Sequence, residues 1–321
     1  MWYKKFLNTY KAGISHEFLL YFNIRDVVDN YRSLERYIYD EFIKQRGFAI
    51  VAFYDISKGL TFYDASMERE FHKITSNMAV NLLNSLPSKL FPYIDMALKG
   101  TKMALFIDHV EKIIPSGDIA SMTLEERIAL IWICEWSVDA KISSVGSTIL
   151  MMADNLADVS REILKSSYRI EPIFVGLPNE SQRKEYIEYL LKDNNVKTEI
   201  TPDEFAKLSS GLSKKSIKDI KLKSEAEDIP ISFEFIKEKK HSVLQKEYGD
   251  VLEFIYPELG FENIGGMEKA KDYLIKNIVR PILKGDLRRV PMGILLCGPS
   301  GTGKTLLVNA LAKASGFNCV K

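Results

Sequence analysis

The order of apolar and polar positions divides most of the chain into short buried strands separated by helices. Four short apolar runs, rich in β-branched and aromatic residues, are typical of buried strands: residues 48–56, 103–110, 147–155 and 170–178. Segments with helical spacing separate these runs. Buried strands that alternate with helices predict a parallel α/β sheet with helices on both faces.

Helical spacing continues on both sides of this region. Residues 1–45 are predicted to be helical, because FLLYFNIRDVVDNY and LERYIYDEFIK carry apolar residues at i, i+3 and i+4. From residue 201 to about 245 the strand pattern disappears, which predicts a small all-helical subdomain. A second α/β pattern begins near Gly260, with a helical segment, a strand GILLC, a glycine-rich loop, a helix and the start of another strand, FNCVK.

Two helix starts are marked by their polar residues. Thr123 and Glu126 have the spacing of a capping box before the apolar run RIALIWICEW. Thr201 and Glu204 form a second such pair, with Pro202 at the first helical position.

These patterns predict five segments along the chain. They are an N-terminal helical segment (1–45), an α/β subdomain (46–200), a helical lid subdomain (201–248), a linker (249–259) and the first part of a second α/β module (260–321).

Composition places the chain among globular proteins and gives it no general attraction for polyanions. Hydrophobic residues make up 46% and charged residues 27%, and 44 basic residues nearly balance 43 acidic ones. Acidic residues interrupt the lysine-rich stretch, and no aromatic residue lies within it, so we expect a solvated helix face and no nucleic-acid partner. Its lysines are Lys214, Lys215, Lys218, Lys221 and Lys223.

Several other kinds of site are not expected. The three cysteines, Cys134, Cys297 and Cys319, are scattered and lack C-x-x-C spacing, which argues against a disulfide framework and against structural zinc. The four histidines show no ligand spacing, so we expect no metal other than Mg²⁺. The N-terminus lacks the apolar core of a signal peptide and no apolar run is long enough to span a membrane, so we expect a cytoplasmic protein.

The sequence GPSGTGKT at 298–305 has the G-x-x-x-x-G-K-T pattern of a phosphate-binding loop. Its glycines permit backbone N–H groups to approach a phosphate closely, and the following helix adds its positive N-terminal end. Lys304 would reach the β- and γ-phosphates, and the Thr305 hydroxyl would ligate Mg²⁺. The predicted phosphate-binding residues are Gly298, Pro299, Ser300, Gly301, Thr302, Gly303, Lys304, Thr305 and Leu306.

The segment FENIGGMEKAKDYLIKNIVRPIL, followed by VPMGILLCGPSGTGKTLLVNALAKASGFN, resembles the opening of an AAA (AAA+ superfamily) ATPase module. Ile264 and Gly265 stand where such proteins pack the adenine base, and Ser300 replaces a proline that is usual in the family. The resemblance implies ATP and Mg²⁺ as ligands. It also implies a homo-oligomer, by family a hexameric ring, that acts on a protein substrate.

A weaker resemblance to the same family covers residues 46–240. ALFIDHVE resembles a Walker B strand, with Asp108 at the Mg²⁺-side aspartate and His109 in place of the water-activating glutamate. TILMMADN resembles the sensor 1 strand and ends at Asn155. After strand 48–56, where we expect the phosphate loop of this first module, SKGLTFYDASMERE lacks G-x-x-x-x-G-K. The resemblance therefore implies a degenerate AAA-like module in which Asp108, His109 and Asn155 are vestigial.

In the family, the second module's acidic pair, sensor 1, pore loop and arginine finger all follow the phosphate loop. We therefore expect no catalytic residue within this chain and negligible hydrolysis by the chain alone. We also expect the chain to be the N-terminal portion of a longer protein, or else one half of a split pair.

The sequence suggests three functions. The first is an ATP-driven protein-remodelling motor with its active site in the second module and a non-catalytic scaffold as its first module. The second is a nucleotide-dependent binding or scaffold protein with little or no hydrolysis. The third, a small-molecule kinase or GTPase, is disfavoured by the I-G-G segment and its spacing before the loop.

Overall fold

The structure is a computed structural model that describes residues 2–193, 196–248, 254–255, 259–283, 289–299, 301–315 and 319–320. The chain divides into two compact units, residues 1–233 and residues 234–321. Ser300, one of the predicted phosphate-binding residues, lies outside the described residues.

The first unit contains one six-stranded sheet, in the order β3-β2-β4-β5-β1-β6. Every neighbouring pair is parallel except β2 and β3, which are antiparallel. The predicted parallel α/β sheet is therefore confirmed. The strands are β1 (Glu17–Phe22), β2 (Ile50–Asp55), β3 (Gly59–Phe62), β4 (Met103–Ile107), β5 (Thr148–Ala153) and β6 (Ile170–Val175).

Helices cover both faces of this sheet, and the strands bury side chains in both directions. In β4, Met103, Leu105 and Ile107 join the apolar cluster on one face. The alternate residues, Ala104 and Phe106, join the cluster on the other face. Such two-sided burial explains why these strands are continuous apolar runs rather than alternating ones.

The described helices are α1 (Trp2–Lys11), α2 (Leu34–Ile38), α3 (Ala65–Ile74), α4 (Pro87–Gly100), α5 (Val110–Ile113), α6 (Leu124–Val138), α7 (Ala140–Val145), α8 (Glu180–Leu190), α9 (Pro202–Leu208), α10 (Lys214–Glu227), α11 (Phe233–Tyr248), α12 (Glu268–Leu274), α13 (Arg280–Leu283) and α14 (Lys304–Ser315). Both predicted capping boxes are present. Thr123 with Glu126 starts α6, and Thr201 with Glu204 starts α9. None of the described helices is both long enough and apolar enough to cross a membrane.

The prediction that residues 1–45 are helical throughout is wrong. Helices α1 and α2 lie there, but residues 17–22 form β1, which pairs with β5 on one side and β6 on the other. The run EFLLYF fits helical spacing and a buried strand equally well, because periodicity cannot separate the two in a short apolar segment. Burial of Phe18, Leu19 and Leu20 on opposite faces of the sheet decides for the strand.

Helices α8, α9 and α10 form a helical part beside the sheet. The predicted helical subdomain is therefore present, although α8 precedes its predicted start at residue 201. The prediction of a solvated lysine face on α10 is wrong for Lys214. Its side chain is buried, with 4% of the residue exposed. The Nζ atom finds backbone carbonyl partners in a distant loop, which compensates for the loss of water around the charge.

The second unit has its own small core beneath α12 and α14. Ile264, Leu274, Ile278, Leu307 and Ala310 form this cluster. Two further short strands, β7 (Phe254–Ile255) and β8 (Cys319–Val320), pair in antiparallel fashion.

The predicted strand GILLC at 293–297 is not formed. No strand lies beside it among the described residues, so its backbone has no ladder to join. Met292, Ile294 and Leu295 are correspondingly exposed, with Leu295 at 86% of its full accessibility, whereas Leu296 is half-buried against the core of the second unit. A strand in a parallel sheet requires a neighbour to satisfy its N–H and C=O groups, and apolar sequence alone does not supply one.

Glu17, the first residue of β1, is fully buried, and neither of its carboxylate oxygens has a hydrogen-bond partner. Burial raises the pKa of Glu17 well above its ordinary value. The carboxyl group is therefore protonated in the folded state at pH values where it is ionised in the unfolded chain. Folding therefore takes up a proton. The contribution of Glu17 to the unfolding free energy is fully present below its unfolded pKa and is lost as the pH rises above that value.

We expect Glu17→Gln to remove this pH dependence. The wild type should lose up to about 1.4 kcal/mol of unfolding free energy per pH unit more than the variant above pH ~4.5. Urea unfolding between pH 5 and pH 8 measures this difference through tryptophan fluorescence, because all three tryptophans (Trp2, Trp132 and Trp136) lie in the first unit. Glu135→Gln, at an exposed position on α6, is the control; equal slopes for the wild type and Glu17→Gln would contradict the prediction.

Candidate functional site

The glycine-rich loop of the second unit leads directly into α14. Gly301 and Gly303 have φ angles of +79° and +80°, a region that favours glycine. A Cβ at Gly301 would meet no atom within 4 Å, whereas one at Gly303 would lie 3.3 Å from Cε of Met267. The two glycines are thus required for the backbone conformation, and at Gly303 also for a close approach.

Lys304 is the first residue of α14, and its side chain folds back over the loop. The Nζ atom donates hydrogen bonds to the carbonyl oxygens of Gly298 at 2.8 Å and Pro299 at 2.5 Å. The Thr302 hydroxyl also donates to the Pro299 carbonyl, at 2.9 Å. The ammonium group therefore lies at the loop, where it is held by main-chain oxygens that a phosphate could replace.

The remaining groups around the loop suit an anion accompanied by a hard cation. Thr305 is exposed in the first turn of α14, whose N-terminus supplies backbone N–H groups and a partial positive charge. The ammonium group and the helix N-terminus suit nucleotide phosphates, and the hydroxyl oxygen suits Mg²⁺. The residues present therefore fit ATP with Mg²⁺. Leu306 is half-buried.

The two residues predicted on the adenine side have different environments. Ile264 is buried, with 5% exposed, and packs in the core of the second unit. Its carbonyl oxygen accepts a hydrogen bond from Nζ of Lys271 at 2.6 Å. Gly265 is exposed and has open space where a Cβ would lie. Their contact with a base remains a prediction.

The equivalent crevice of the first unit lies at the carboxyl end of β1. The chain leaves β1 towards β2 on one side of the sheet and later crosses from β5 to β6 on the other side, so β1 lies at the topological switch point. Ligands of open α/β sheets bind outside the carboxyl ends of strands at this point. The loop that occupies it is residues 23–33, which contain no glycine and no lysine.

The prediction that the first module's phosphate loop follows strand 48–56 is therefore wrong. Residues 56–58 form the turn of the β2–β3 hairpin, at the far edge of the sheet. Because the run EFLLYF also fits helical spacing, the sequence pattern places the first strand at 48–56 instead of at β1. Neither stretch has a glycine-rich cradle.

Arg25, in the loop 23–33, lies among the acidic groups that follow β4 and β5. Its NH1 donates to Oδ2 of Asp108 at 2.7 Å, and its Nε donates to Oδ1 of Asp154 at 3.2 Å. Its NH2 lies 3.1 Å from Nδ1 of His109. The guanidinium thus supplies a positive charge where several carboxylates converge.

The residues predicted to be vestigial are placed as follows. Asp108 and His109 follow β4 directly and are both in contact with Arg25. Asn155 instead caps a short turn, where its Oδ1 accepts a hydrogen bond from the backbone N–H of Ala157 at 3.1 Å. The neighbouring Asp154, which sequence analysis did not single out, makes the contact with Arg25.

A second acidic residue, Glu111 in α5, lies beside His109. This glutamate is buried, with 6% exposed, and its Oε1 lies 3.4 Å from Nδ1 of His109. Candidate ligand atoms of His109, Glu111 and Asp154 all lie within 4.8 Å of one another. Arg25 is the cation that contacts this cluster in the structure.

A cavity of about 690 Å³ opens beside the loop 23–33 at the carboxyl ends of β1 and β6. Aromatic side chains, including Trp2, Tyr37 and Phe174, contribute to its walls. Asp26, Asp29 and Glu185 place carboxylates around the same space, and Lys5 and Lys214 place ammonium groups there.

Residues 1–176 match the N-terminal Rossmann-like domain of AAA+ chaperones. The chain belongs to the AAA+ chaperone family. Residues 181–249 match the second helical domain of AAA+ chaperones, and residues 294–321 match the ATPase family associated with various cellular activities (AAA). The resemblance to AAA ATPases that the sequence predicted is therefore confirmed.

Curated relatives of this AAA+ chain include a Cell division cycle protein 48 homolog of Archaeoglobus fulgidus. It is 26% identical over 255 residues, a match that covers 70% of this chain and 34% of the relative. The Peroxisomal ATPase PEX6 of Yarrowia lipolytica is 25% identical over 222 residues, covering 56% and 22% of the two chains. Human Fidgetin-like protein 1 is 45% identical over 64 residues, covering 19% and 10%. The chain spans about a third or less of the length of these relatives.

Gly59, the first residue of β3, directly follows the bend after β2 and tests how tightly the chain is packed there. Its φ is +73°, and a Cβ there would overlap the carbonyl oxygen of Leu83 and lie 2.6 Å from Cα of Asn84. We expect Gly59→Ala to lower the unfolding free energy by about 3 kcal/mol or more, from left-handed strain and overlap with backbone atoms together. Urea unfolding followed by tryptophan fluorescence measures it.

Gly211→Ala is the matched control for this substitution. Gly211 has a φ of +85°, but a Cβ there would meet nothing within 4 Å, so only the strain of about 1 kcal/mol is expected. Equal losses for the two variants would show that the bend after β2 has room for a side chain.

Proposed function

We propose that this chain is part of an ATP-dependent protein-remodelling machine. In this proposal the second unit binds ATP and Mg²⁺ through residues 298–306, and the first unit is a non-catalytic scaffold. Residues 249–259 link the two modules, and the second module begins near residue 260.

The contrast between two loops carries the proposal. The loop of the second unit is exposed, uses glycines at positive φ, and ends in Lys304 at a helix N-terminus. The corresponding loop of the first unit has no glycine, and its own Arg25 lies on Asp108. One loop therefore suits an anionic ligand, whereas at the other the protein's own Arg25 already pairs with the carboxylates.

The relatives support the choice of a remodelling machine over an isolated enzyme. The family matches are to AAA+ chaperones and AAA ATPases, and the relatives include a Cell division cycle protein 48 homolog and the Peroxisomal ATPase PEX6. We infer from this that the functional form is a homo-oligomer, by family a hexameric ring, that acts on a protein substrate. A cytoplasmic location is part of the same proposal.

Lys304→Ala is expected to weaken binding of Mg²⁺·ATP about tenfold or more, because the variant loses a charge-assisted contact to the phosphates. Fluorescence of a ribose-labelled ATP analogue, titrated with the 321-residue chain, measures the affinity. Lys269→Ala removes an exposed lysine from α12 of the same unit and should leave the affinity unchanged. Unchanged binding by Lys304→Ala, or photo-cross-linking of azido-ATP beside Asp108, would contradict the assignment.

The chain itself is expected to release phosphate from ATP at the background rate. The described contacts of Lys304 are to main-chain oxygens and the Thr302 hydroxyl, and none of them is to a carboxylate that could activate water. A phosphate-release assay on the wild type and on Lys304→Ala should give the same rate. A wild-type rate well above that of Lys304→Ala would show that the chain already holds a water-activating group.

A further inference from the structure

Asp26, in the loop after β1, is a buried carboxylate that lies at the N-terminus of α10. It is 6% exposed. Its Oδ2 accepts a hydrogen bond from the backbone N–H of Lys214 at 2.9 Å, and its Oδ1 accepts one from the N–H of Lys215, also at 2.9 Å. Asn23 donates a third hydrogen bond to Oδ2, at 3.1 Å. A side chain from the loop after β1 therefore satisfies the first two free amides of a helix that begins 188 residues later in the chain.

Lys214 makes the reciprocal contact from the helix to the loop. Its Nζ donates to the carbonyl oxygens of Val28 at 3.0 Å and Asp29 at 2.8 Å. Burial lowers the pKa of Lys214, while the nearby carboxylates of Asp26 and Asp29 act in the opposite direction. The charged ammonium is thus taken out of water only because oxygens of the loop replace its hydration.

The loop itself is held in shape before it meets the helix. Oδ1 of Asp29 accepts hydrogen bonds from the N–H of Tyr31 at 3.1 Å and of Arg32 at 2.8 Å. The Arg32 side chain also donates to Oδ2 of Asp29 at 2.6 Å. These local bonds give the loop a fixed conformation, so less entropy is lost when Asp26 caps α10.

Arg25 and Asp26, which are adjacent in this loop, therefore have opposite charges and contact opposite sides of the crevice. Arg25 places a cation on the carboxylates after β4 and β5, and Asp26 places an anion on the amides of α10. A magnesium–phosphate ligand has this same pair of charges: its cation faces carboxylates, and its anion faces helix amides.

We propose that the loop 23–33 acts as a built-in ligand of the first unit. Its charged side chains take the place of a bound nucleotide and hold the helical part (α8–α10) on the sheet. The proposal deepens the scaffold role proposed above and rests on it, because a first unit that hydrolysed ATP would need this crevice empty. Since the charges belong to the chain, the contact does not depend on the concentration of ATP. The helical part of the first unit is therefore docked whether or not the second unit holds nucleotide.

Hydrogen exchange of the full chain tests the proposal at the first amides of α10. In the wild type, the exchange rates of the Lys214 and Lys215 amides should be the same with and without Mg²⁺·ATP. In Asp26→Ala these amides should exchange about tenfold faster or more, because a pair of charge-assisted hydrogen bonds is lost. Added formate should slow the exchange again, because a small carboxylate can enter the space that the side chain leaves.

Two further variants distinguish the loss of the Asp26 hydrogen bonds from other causes of faster exchange at α10. Lys214→Met keeps the amides bound to Asp26 but removes the contacts to the loop carbonyls, so it should accelerate exchange less than Asp26→Ala. Asp203→Ala, an exposed acidic residue in the first turn of α9, should have no effect at α10. Tryptophan fluorescence reports whether the first unit stays folded in each variant.

Arg25→Ala tests the other half of the built-in ligand. Its loss leaves the carboxylates of Asp108 and Asp154 without their cation. Added guanidinium should therefore raise the thermal stability of this variant and should not raise that of the wild type. Slower exchange at α10 on addition of Mg²⁺·ATP to the wild type, or unchanged exchange in Asp26→Ala, would overturn the proposal. Loss of ATP binding at Lys304 is measured separately, so failure of the second-unit assignment would not be mistaken for failure of this one.

Discussion

The position of β1 between β5 and β6 is the constraint on which the architecture of the first unit depends. Because these three strands are parallel, their carboxyl ends lie on one edge of the sheet, where the loop 23–33 meets the residues after β5 and β6. The loop after β4 joins the same edge through the β4–β5 pairing. Arg25 can therefore reach Asp108 and Asp154 although more than eighty residues separate them in the chain.

Much of this fold follows from the sequence, and the predictions that are wrong have definite physical causes. Strands β2, β4, β5 and β6 and both capping boxes were predictable, because their burial and hydrogen bonding depend on local pattern. Strand β1 was not, since EFLLYF satisfies two periodicities and only its pairing partners, far along the chain, decide between them. The prediction of a strand at GILLC is wrong for the opposite reason: its pattern is that of a buried strand, but no described strand lies beside it.

The candidate sites divide along the same line. The loop 298–305 is recognisable from sequence because its chemistry depends on glycines and a lysine at fixed spacing. The contacts of Arg25, Asp26 and Lys214 have no such signature, since each joins residues that are distant in sequence. The two units thus differ at the corresponding crevices: in the second, Lys304 is held by main-chain oxygens of an exposed loop, and in the first, Arg25 and Asp26 are bound by carboxylates and helix amides of the same chain.

The central place of β1 also has a consequence for synthesis on the ribosome. Glu17 emerges early, but its partner Ile149 is translated later by a delay on the order of ten seconds, and Ile170 later still. During that interval the apolar side chains of Phe18, Leu19 and Leu20 have neither neighbouring strand to cover them. The nascent chain must therefore carry an unpaired hydrophobic segment for most of the translation of its first unit, which makes this strand a natural client for holding chaperones.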